Sequence, residues 1–455
     1  MSAIGRSHGA VQGRNIDLAS AVRTAEELYV KRNPKSAAMA ARAGGHMPGG
    51  NTRTTLHYSP FSLYFESGDK SRVIDADGNS YADFVNEFTA GIYGHSNPVI
   101  AETITSTLSK GINLGGSTVH EINLASEVQR RFPAMELLRF CNSGTEANLL
   151  ALAAARAFTG KPAVLVFEGA YHGSLLYFGG SGSPLNMKFD WITSPYNDLE
   201  LARAAIAANA RQLCAVIVEP MQGGAGAVAS APGFVAGLRQ ACDEHNVLLV
   251  LDEVMTSRLG FGGMQGQLGV KPDMTTLGKY VGGGLSSGVF GGRSDIMAKF
   301  DPAQPGAYPH GGTFNNNVLA MAAGFAGLTK VLTKERLTAM NELGTSLQER
   351  LQAIVARHEL PVQITGAGSI FGVHFGHHPV QSVADQSRNE KGREAQVADL
   401  KKLFHLDMIA NSIFLARRVM GDLSIETTER EVSGLCAAFD GFLSTHAGII
   451  SEAMA

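Results

Sequence analysis

Three short apolar runs constrain the fold of this chain more than any other feature of its sequence. They read AVLVF at 163–167, CAVIV at 214–218 and VLLVL at 247–251, and segments long enough to form helices separate them. A strand that is apolar on both faces is buried on both faces, which is typical of a parallel sheet covered by helices. The sequence therefore predicts an α/β domain whose ligands bind beyond the carboxyl ends of its strands.

The remaining sequence predicts a large domain between two terminal segments. Residues 1–83 begin with a stretch of disorder-like composition, 1–14, and continue with a helix and short strands, so we assign them to an N-terminal segment and part of a small lobe. Residues 84–330 form the large α/β domain, and residues 331–455 form a small C-terminal α+β domain. Within the last segment we expect the charged stretch QSRNEKGREAQ to be mobile.

Composition excludes several classes of function. Charged residues make up 17% of the chain and the formal net charge is -3, so no basic surface points to nucleic acid. The sequence has no run of about eighteen apolar residues and no hydrophobic signal region at its start, from which we expect a cytoplasmic protein that does not enter membranes. The four cysteines lack CxxC spacing, so the sequence predicts neither a disulfide framework nor a metal site.

Two residues carry groups suited to catalysis. The carboxylate of Asp252 comes directly after VLLVL, and Lys279 lies just before a run of three glycines. A nucleotide hydrolase could also use an acid at a strand end, but it needs a G-x-x-x-x-G-K-[ST] loop. Both Gly-Lys pairs of this chain are followed by other residues, Pro162 and Tyr280, so the sequence disfavours that class.

Three further motifs carry groups that could bind a ligand. The turn Ser143-Gly144-Thr145 opens an alanine-rich helical segment, and the N–H groups at such a helix start bind anions such as phosphate. Tyr171 follows the first apolar run and offers a flat ring. Glu219 ends the second run, and Gln222 follows it closely. Each motif also has a structural explanation as a helix cap, a packed ring or a turn.

Together these groups match one cofactor, pyridoxal 5'-phosphate (PLP). The turn at 143–145 would hold its phosphate, and an aromatic side chain would cover its ring. Asp252 would keep the ring nitrogen protonated, because an adjacent carboxylate favours the cation and the protonated ring is the electron sink. Lys279 would bond to the aldehyde through its amine.

An ordered set of motifs resembles the class III (fold type I) aminotransferases. The set comprises SGTEAN at 143–148, EGAYHG at 168–173, VEPMQG at 218–223, LDEVMTSR at 251–258, TLGKYVGGG at 276–284 and HGGTFNNN at 310–317. Within the class, the chain is most similar to the (S)-β-phenylalanine aminotransferases of the glutamate-1-semialdehyde aminomutase-like branch, which share a segment of the type FVNEFTAGIYGHS. The resemblance implies a fold type I transferase with a large, mostly parallel cofactor domain and a smaller α+β lobe built from both termini.

The resemblance also implies roles for individual residues. Lys279 would hold the cofactor and then move the proton of the substrate, while Asp252 would pair with the pyridine nitrogen. The remaining cofactor contacts would come from Ser143, Gly144 and Thr145 at the phosphate, Val254 and Tyr171 on the two ring faces, Gln222 near the 3′-hydroxyl and Glu219 close by. Thr313 would reach the phosphate from the neighbouring subunit, which implies a homodimer with shared active sites.

The resemblance also implies that arginines bind the substrate carboxylates. Arg53 would receive one carboxylate and Arg418 another, although the adjacent Arg417 is an open alternative and both contacts could be surface ion pairs. The implied reaction is transamination of a β-amino acid, aromatic as in (S)-β-phenylalanine, with 2-oxoglutarate or pyruvate as amino acceptor.

Three other functions are weighed against this one. A glutamate-1-semialdehyde 2,1-aminomutase typically has GGGLP and GGTLSGNP where this chain has GGGLSSG and GGTFNNNV, with Ser286 and Phe314 at the differing positions. An ω-amine transaminase stays open because pocket residues cannot be identified from one sequence. A non-catalytic PLP-binding protein is disfavoured, since such proteins tend to lose the lysine or the aspartate and this chain keeps both.

Overall fold

The chain folds around one seven-stranded sheet with smaller sheets beside it, in a computed structural model that describes residues 17–455. The disorder expected for residues 1–14 falls outside this range. The strands are β1 (Phe65–Asp69), β2 (Arg72–Asp75), β3 (Ser80–Asp83), β4 (Leu137–Cys141), β5 (Ala163–Phe167), β6 (Asp190–Ser194), β7 (Leu213–Val218), β8 (Met221–Gln222), β9 (Val228–Ala229), β10 (Leu248–Asp252), β11 (Met274–Leu277), β12 (Gly288–Gly292), β13 (Val362–Ala367), β14 (Ile370–Phe375), β15 (Ile413–Phe414) and β16 (Met420–Asp422).

Helices cover the sheets and connect them. They are α1 (Leu18–Arg32), α2 (Pro34–Gly44), α3 (Pro98–Leu108), α4 (Val119–Arg131), α5 (Gly144–Thr159), α6 (Leu199–Asn209), α7 (Phe234–His245), α8 (Gly263–Leu268), α9 (Ser294–Met297), α10 (Val318–Ala326), α11 (Lys334–His358), α12 (Val383–Glu390), α13 (Glu394–Ala410) and α14 (Glu429–Met454). Shorter helical turns lie at Pro48–Gly50, Thr54–Leu56, Thr256–Leu259, Lys279–Gly282, Ala298–Phe300 and Gly327–Val331. No helix in residues 17–455 is both long enough and apolar enough to cross a membrane.

The large sheet has the strand order β4-β12-β11-β10-β7-β5-β6. Strands β11, β10, β7, β5 and β6 pair in parallel, whereas β12 is antiparallel to both of its neighbours. The three apolar runs form β5, β7 and β10, in which every residue is buried. The predicted α/β fold class is therefore confirmed, with a sheet buried on both faces.

Three neighbouring strands of this sheet end at one level. Leu251 of β10 lies opposite Val218 of β7, and Asp252 lies opposite Thr276 of β11. The polar residues that follow these strands therefore emerge along one edge of the sheet, where α/β proteins bind ligands.

The smaller sheets combine both ends of the chain. In the sheet β1-β2-β3-β15, strand β15 pairs in parallel with β3 and places Ile413 opposite Ala82. In the sheet β13-β14-β16, all pairings are antiparallel. Segments from the N-terminal and C-terminal parts of the chain therefore share one sheet.

The charged stretch at 386–396, expected to be mobile, is mostly helical. It contributes to α12 and α13, with a short break between them. The Ser382 hydroxyl accepts a hydrogen bond from the Asp385 N–H at 3.3 Å and caps α12. Farther along, α13 buries Val397 and Leu400. The stretch thus lies on a capped helix and a packed helix, and its mobility stays a prediction.

A left-handed turn follows the N-terminal sheet. Residues 86–89 all have positive φ, from 39° at Asn86 to 75° at Thr89. Left-handed backbone costs roughly 1–2 kcal/mol for each residue other than glycine, and asparagine tolerates it best. The buried Asn86 amide compensates by donating to the Asp422 carbonyl at 2.7 Å and to the Asp83 carbonyl at 3.2 Å. The turn is therefore held by the ends of two strands, β3 at Asp83 and β16 at Asp422.

A buried ion pair joins the edge of the large sheet to β16. Arg258 and Asp422 are 0% and 1% exposed, and Nη1 of Arg258 lies 2.6 Å from Oδ1 of Asp422. The same guanidinium donates to the Thr89 carbonyl at 3.2 Å and to the Leu423 carbonyl. Arg258 thus connects the left-handed turn, the large sheet and the β13-β14-β16 sheet.

Replacing Asp422 by asparagine should destabilise the protein strongly. The Asp422→Asn change leaves the Arg258 charge buried without a counterion, and we expect the free energy of unfolding to fall by about 3 to 5 kcal/mol. Urea unfolding measures this loss. Glu426→Gln is the matched control, because it breaks the exposed Arg336–Glu426 pair at 2.9 Å and should cost less than about 1 kcal/mol. Equal losses in the two variants would contradict the role given to the buried pair.

Candidate active site

Asp252 is held at the end of β10 by three hydrogen bonds. Its Oδ2 accepts from the Asn148 amide and from Nδ1 of His172, both at 2.7 Å, and its Oδ1 accepts from the Val254 N–H at 3.0 Å. Asn148 is fixed in turn, because its Oδ1 accepts from Thr276 Oγ1 at 2.6 Å. Asp252 is only 4% exposed, so its carboxylate is held in a fixed and buried position at the sheet edge.

The start of α5 forms an open turn beside Asp252. The Ser143 hydroxyl accepts from the Glu146 N–H at 3.1 Å and caps the helix. A Cβ on Gly144 would lie 2.7 Å from Val254 Cγ1, so only glycine fits there. A Cβ on Gly278 would lie 3.1 Å from the Gly144 nitrogen. Ser143, Gly144 and Val254 thus lie together, next to the residue that precedes Lys279.

Thr145 completes this turn from the other side. A Cβ placed on Gly173 would collide with the Thr145 side chain. Glycine is therefore needed where the loop after β5 passes over α5. The Thr145 side chain therefore lies against a loop that also carries His172, the partner of Asp252.

Lys279 follows β11 in a left-handed conformation, with φ of 57°. Its Nζ donates to the Phe88 carbonyl at 2.8 Å and to Thr89 Oγ1 at 2.5 Å, both in the left-handed turn. Burial, followed by the positive charge of Arg418, lowers the pKa of the Lys279 amine to about 8. More of this amine is therefore uncharged and nucleophilic near neutral pH than in an ordinary lysine, although the ammonium still predominates.

A second wall of the site is formed by Tyr171, Glu219 and Gln222. The Glu219 carboxylate accepts from the N–H groups of Tyr171 at 2.9 Å and of Gly223 at 3.2 Å. Burial raises the pKa of Glu219 to about 7, against the opposing effect of His172. The Gln222 amide donates to the Glu168 carbonyl at 2.9 Å, while its buried Oε1 has no hydrogen-bond donor among the described residues. This wall therefore presents an acceptor that is available to a ligand.

Two arginines approach the site over a single ring. The guanidinium carbons of Arg53 and Arg418 lie 5.4 Å and 5.2 Å from the centre of the Phe88 ring. Arg53 also pairs with Glu87 at 2.5 Å. Arg417 and Arg418 are both exposed, but within residues 17–455 Arg417 makes no such contact with the ring. Of the two adjacent arginines, the structure places Arg418 at the turn that holds Lys279.

Thr313 is the one predicted site residue that lies apart from the others. It is exposed in this chain, and none of the hydrogen bonds in residues 17–455 joins it to the turn at 143–145. Its loop is nevertheless anchored next to that turn, because the Asn142 amide donates to Asn315 Oδ1 at 3.0 Å.

The arrangement fits pyridoxal phosphate. The start of α5 offers N–H groups to a phosphate, and the unpaired Gln222 Oε1 can accept from a ring hydroxyl. Asp252 can hold a proton on a ring nitrogen, since His172 and Asn148 fix its position. Lys279 supplies an amine of lowered pKa.

Four residues at this site are missing from the candidates drawn from sequence. Asn148 and His172 lie inside motifs that were noted for other residues of those motifs. Only the folded structure shows that both side chains contact Asp252. Phe88 and Thr89 lie in the segment FVNEFTAGIYGHS, whose role could not be inferred from residue type.

Comparison with known proteins identifies relatives over nearly the whole chain. Residues 55–392 match the family described as aminotransferase class-III. The beta-phenylalanine transaminase of Variovorax paradoxus is 43% identical over 433 residues, which are 95% of this chain and 98% of that protein. The crystal structure of the beta-phenylalanine aminotransferase from this organism matches with a TM-score of 0.92 and 42% identity, covering 95% of this chain and 99% of that one.

Two further relatives widen the comparison. A glutamate-1-semialdehyde 2,1-aminomutase of Exiguobacterium sibiricum is 36% identical over 429 residues, which are 90% of this chain and 96% of that protein. A solved transaminase with PLP bound has a TM-score of 0.82 at 30% identity and covers 93% of this chain and 99% of that one.

Asp252→Asn should reduce turnover far more than cofactor occupancy. The amide keeps the shape of the side chain but cannot hold a positive charge on the ring nitrogen, so we expect the turnover of the loaded protein to fall by more than about a hundredfold. Absorbance gives the occupancy, and steady-state kinetics gives the turnover of the occupied fraction. Asp273→Asn serves as control, since Asp273 is also buried and pairs with Arg239 and Arg293 away from this edge. Wild-type turnover in Asp252→Asn would refute the role at the ring nitrogen.

Proposed function

Because this chain belongs to the class III aminotransferases, we propose that it transfers the amino group of an aromatic β-amino acid such as (S)-β-phenylalanine to 2-oxoglutarate or pyruvate. Its general chemistry, PLP-dependent amino transfer, is that of the family. The observation that carries the finer proposal is the pairing of Arg418 with the Phe88 ring beside the amine of Lys279. A β-amino acid of this kind bears an aryl group and a carboxymethyl group on one carbon, so it needs an apolar surface and a cation next to each other.

The residues of the site divide the work of the reaction. PLP, when bound, withdraws electrons from the substrate carbon and so makes its proton removable. Lys279 is the group that takes this proton and returns it, because burial and Arg418 bring the pKa of its amine down to about 8, closer to neutral pH than that of an ordinary lysine. Asp252 holds the positive charge at the ring nitrogen, and the start of α5 holds the phosphate.

The guanidinium groups of Arg418 and Arg53 can bind the carboxylates of both the amino donor and the amino acceptor. Arg418 binds the carboxylate of the β-amino acid, and Arg53 becomes available to the second carboxylate of 2-oxoglutarate when it leaves Glu87. The Arg53–Glu87 pair is exposed on both sides, so exchanging one carboxylate for another costs little.

The alternative functions have less support. An aminomutase related to the Exiguobacterium enzyme would move an amino group within one substrate, but Ser286 and Phe314 stand where that branch typically has other residues. An ω-amine transaminase acts on simple amines, which have no carboxylate. Arg418 beside the Lys279 amine would then have no group to bind during the donor half of the reaction.

We also propose a homodimer in which Thr313 completes the phosphate site of the partner. Thr313 is exposed, and its loop contacts the loop before α4 through the Asn316 amide and the Gly116 carbonyl, 3.2 Å apart. The same face carries large apolar side chains that are more than half exposed, namely Leu114, Val119, Ile122 and Phe314. A second copy of the chain would cover this face and bring Thr313 to a phosphate.

A half-reaction tests the donor class. Excess (S)-β-phenylalanine, without acceptor, should remove the yellow absorbance of the PLP-loaded protein, and 2-oxoglutarate or pyruvate should restore it. Stopped-flow absorbance gives the rates. Arg418→Met should weaken the apparent binding of β-phenylalanine about tenfold or more, because a charge-assisted carboxylate contact is lost.

The adjacent arginine provides the matched control for that test. Arg417→Met changes the same side chain one position away and should leave β-phenylalanine binding unchanged. A yellow protein that reacts with a simple aryl amine or with glutamate-1-semialdehyde, but not with β-phenylalanine, would contradict the proposed donor.

Mixed dimers test the shared site. Lys279→Ala should be inactive, and Thr313→Ala should bind PLP weakly because a phosphate contact is lost. If Thr313 acts on the partner, a mixed dimer of the two variants regains one complete site, which contains Lys279 of one copy and Thr313 of the other. Activity and PLP affinity of the separated mixed dimer are the readouts. Weak binding in every mixed site would place Thr313 in its own subunit and refute sharing.

A further inference from the structure

The free amine of Lys279 has a defined resting place in the left-handed turn. Its Nζ lies 2.8 Å from the Phe88 carbonyl oxygen and 2.5 Å from Thr89 Oγ1. Thr89 is fully buried, so its hydroxyl faces the site and not solvent. These two contacts come from adjacent residues of a single turn.

The number of acceptors matches the neutral form of the amine. An ammonium group has three N–H bonds and no lone pair, whereas a neutral amine has two N–H bonds and one lone pair. Two acceptors satisfy both N–H bonds of the neutral amine and leave its lone pair unused. Only this lone pair can attack an aldehyde.

Thr89 occupies a conformation that its residue type disfavours. A β-branched side chain at φ of 75° is uncommon, and such backbone persists only where its surroundings impose it. Arg258 supplies one restraint through the Thr89 carbonyl, and Asn86 supplies another at the start of the turn. Alanine, which has no hydroxyl, would fit this backbone with less strain, so the backbone conformation does not account for a hydroxyl at this position.

We propose that Thr89 is a positioning residue for Lys279, which accepts one N–H of the free amine and, with the Phe88 carbonyl, leaves the lone pair available to the aldehyde of PLP. The inference rests on the proposed use of Lys279 and deepens it. It applies whenever the amine is not bonded to the cofactor, both in the protein before loading and after an amino donor has displaced Lys279 from the cofactor. In capture, the amine nitrogen bonds to the aldehyde carbon, the amine loses its protons, and the aldehyde oxygen leaves as water.

The test compares Thr89→Ser with Thr89→Ala in the full-length protein freed of PLP. The two variants lack the β-branch and differ by one oxygen atom. Stopped-flow absorbance follows the capture of added PLP across a pH series, which yields a plateau rate for the neutral amine and an apparent pKa for Lys279. The charged groups that face the amine are unchanged in both variants; they are Arg418, Asp422, Asp252 and Arg258.

We expect the serine variant to resemble wild type, with an apparent pKa of about 8. The alanine variant should have a plateau rate about tenfold lower, because the amine loses one of its two orienting bonds. Its apparent pKa should fall, since a hydroxyl acceptor stabilises an ammonium more than a neutral amine. Thr107→Ser and Thr107→Ala form the matched control pair at another buried threonine and should change neither quantity.

Two results would overturn the proposal. Equal plateau rates and pKa values for serine and alanine at position 89 would show that the hydroxyl does not act on Lys279. A slower alanine variant whose pKa rises toward the ordinary lysine value would indicate water entering a loosened site instead. Melting temperatures identify a variant that fails to fold, in which case Thr89→Cys replaces it as the hydroxyl-free variant.

The same data separate this inference from the proposed substrate. A wild-type protein that captures PLP but keeps its colour with β-phenylalanine refutes the donor and leaves the Thr89 comparison valid. A wild-type protein that does not capture PLP refutes both.

Discussion

The common level at which β7, β10 and β11 end is the constraint on which the rest of the site depends. Parallel pairing places Val218 opposite Leu251 and Thr276 opposite Asp252, so the groups that follow emerge together. No loop has to bring Glu219 and Asp252 to one edge. A shift of one residue in either pairing would turn Asp252 to the other face of the sheet, because side chains alternate along a strand. The buried apolar faces of these strands therefore fix the position of the catalytic groups.

Around this edge, the left-handed turn at 86–89 organises the positive charges. Its backbone and hydroxyl hold Lys279, while its Phe88 ring lies under Arg53 and Arg418. Three cations that would repel one another are thus placed by one four-residue element. The strain of that element is offset by buried hydrogen bonds from Asn86 and Arg258. The large sheet positions Glu219 and Asp252, and the strained turn positions Lys279 and the two arginines.

The sequence predicted the sheet and its polar edge because apolar runs and the residues after them depend only on local pattern. Asp252 was singled out in this way, whereas Ser143 was singled out by the helix that it opens and Lys279 by the glycines around it. The sequence could not predict that His172 turns to Asp252, or that Phe88 meets Lys279 across 191 positions. Contacts of that kind are set by the packing of distant segments, as is the left-handed backbone at Glu87 and Phe88, where nothing in the residue type suggests positive φ. The helices of the charged stretch at 386–396 were not predicted for a related reason, since they depend on a cap and on buried partners.

The pairing of β15 with β3 also has a consequence for the order in which the protein is made. Ile413 is synthesised long after Ala82, its partner, so the N-terminal sheet stays incomplete until the ribosome has produced most of the chain. Every strand of the large sheet precedes residue 293, and that sheet can assemble earlier. Asp422, the counterion of Arg258, arrives last of all. The edge of the large sheet is therefore available to the nascent chain first, and the Asp422 restraint on Arg258 and the turn at 86–89 becomes available only near the end of translation.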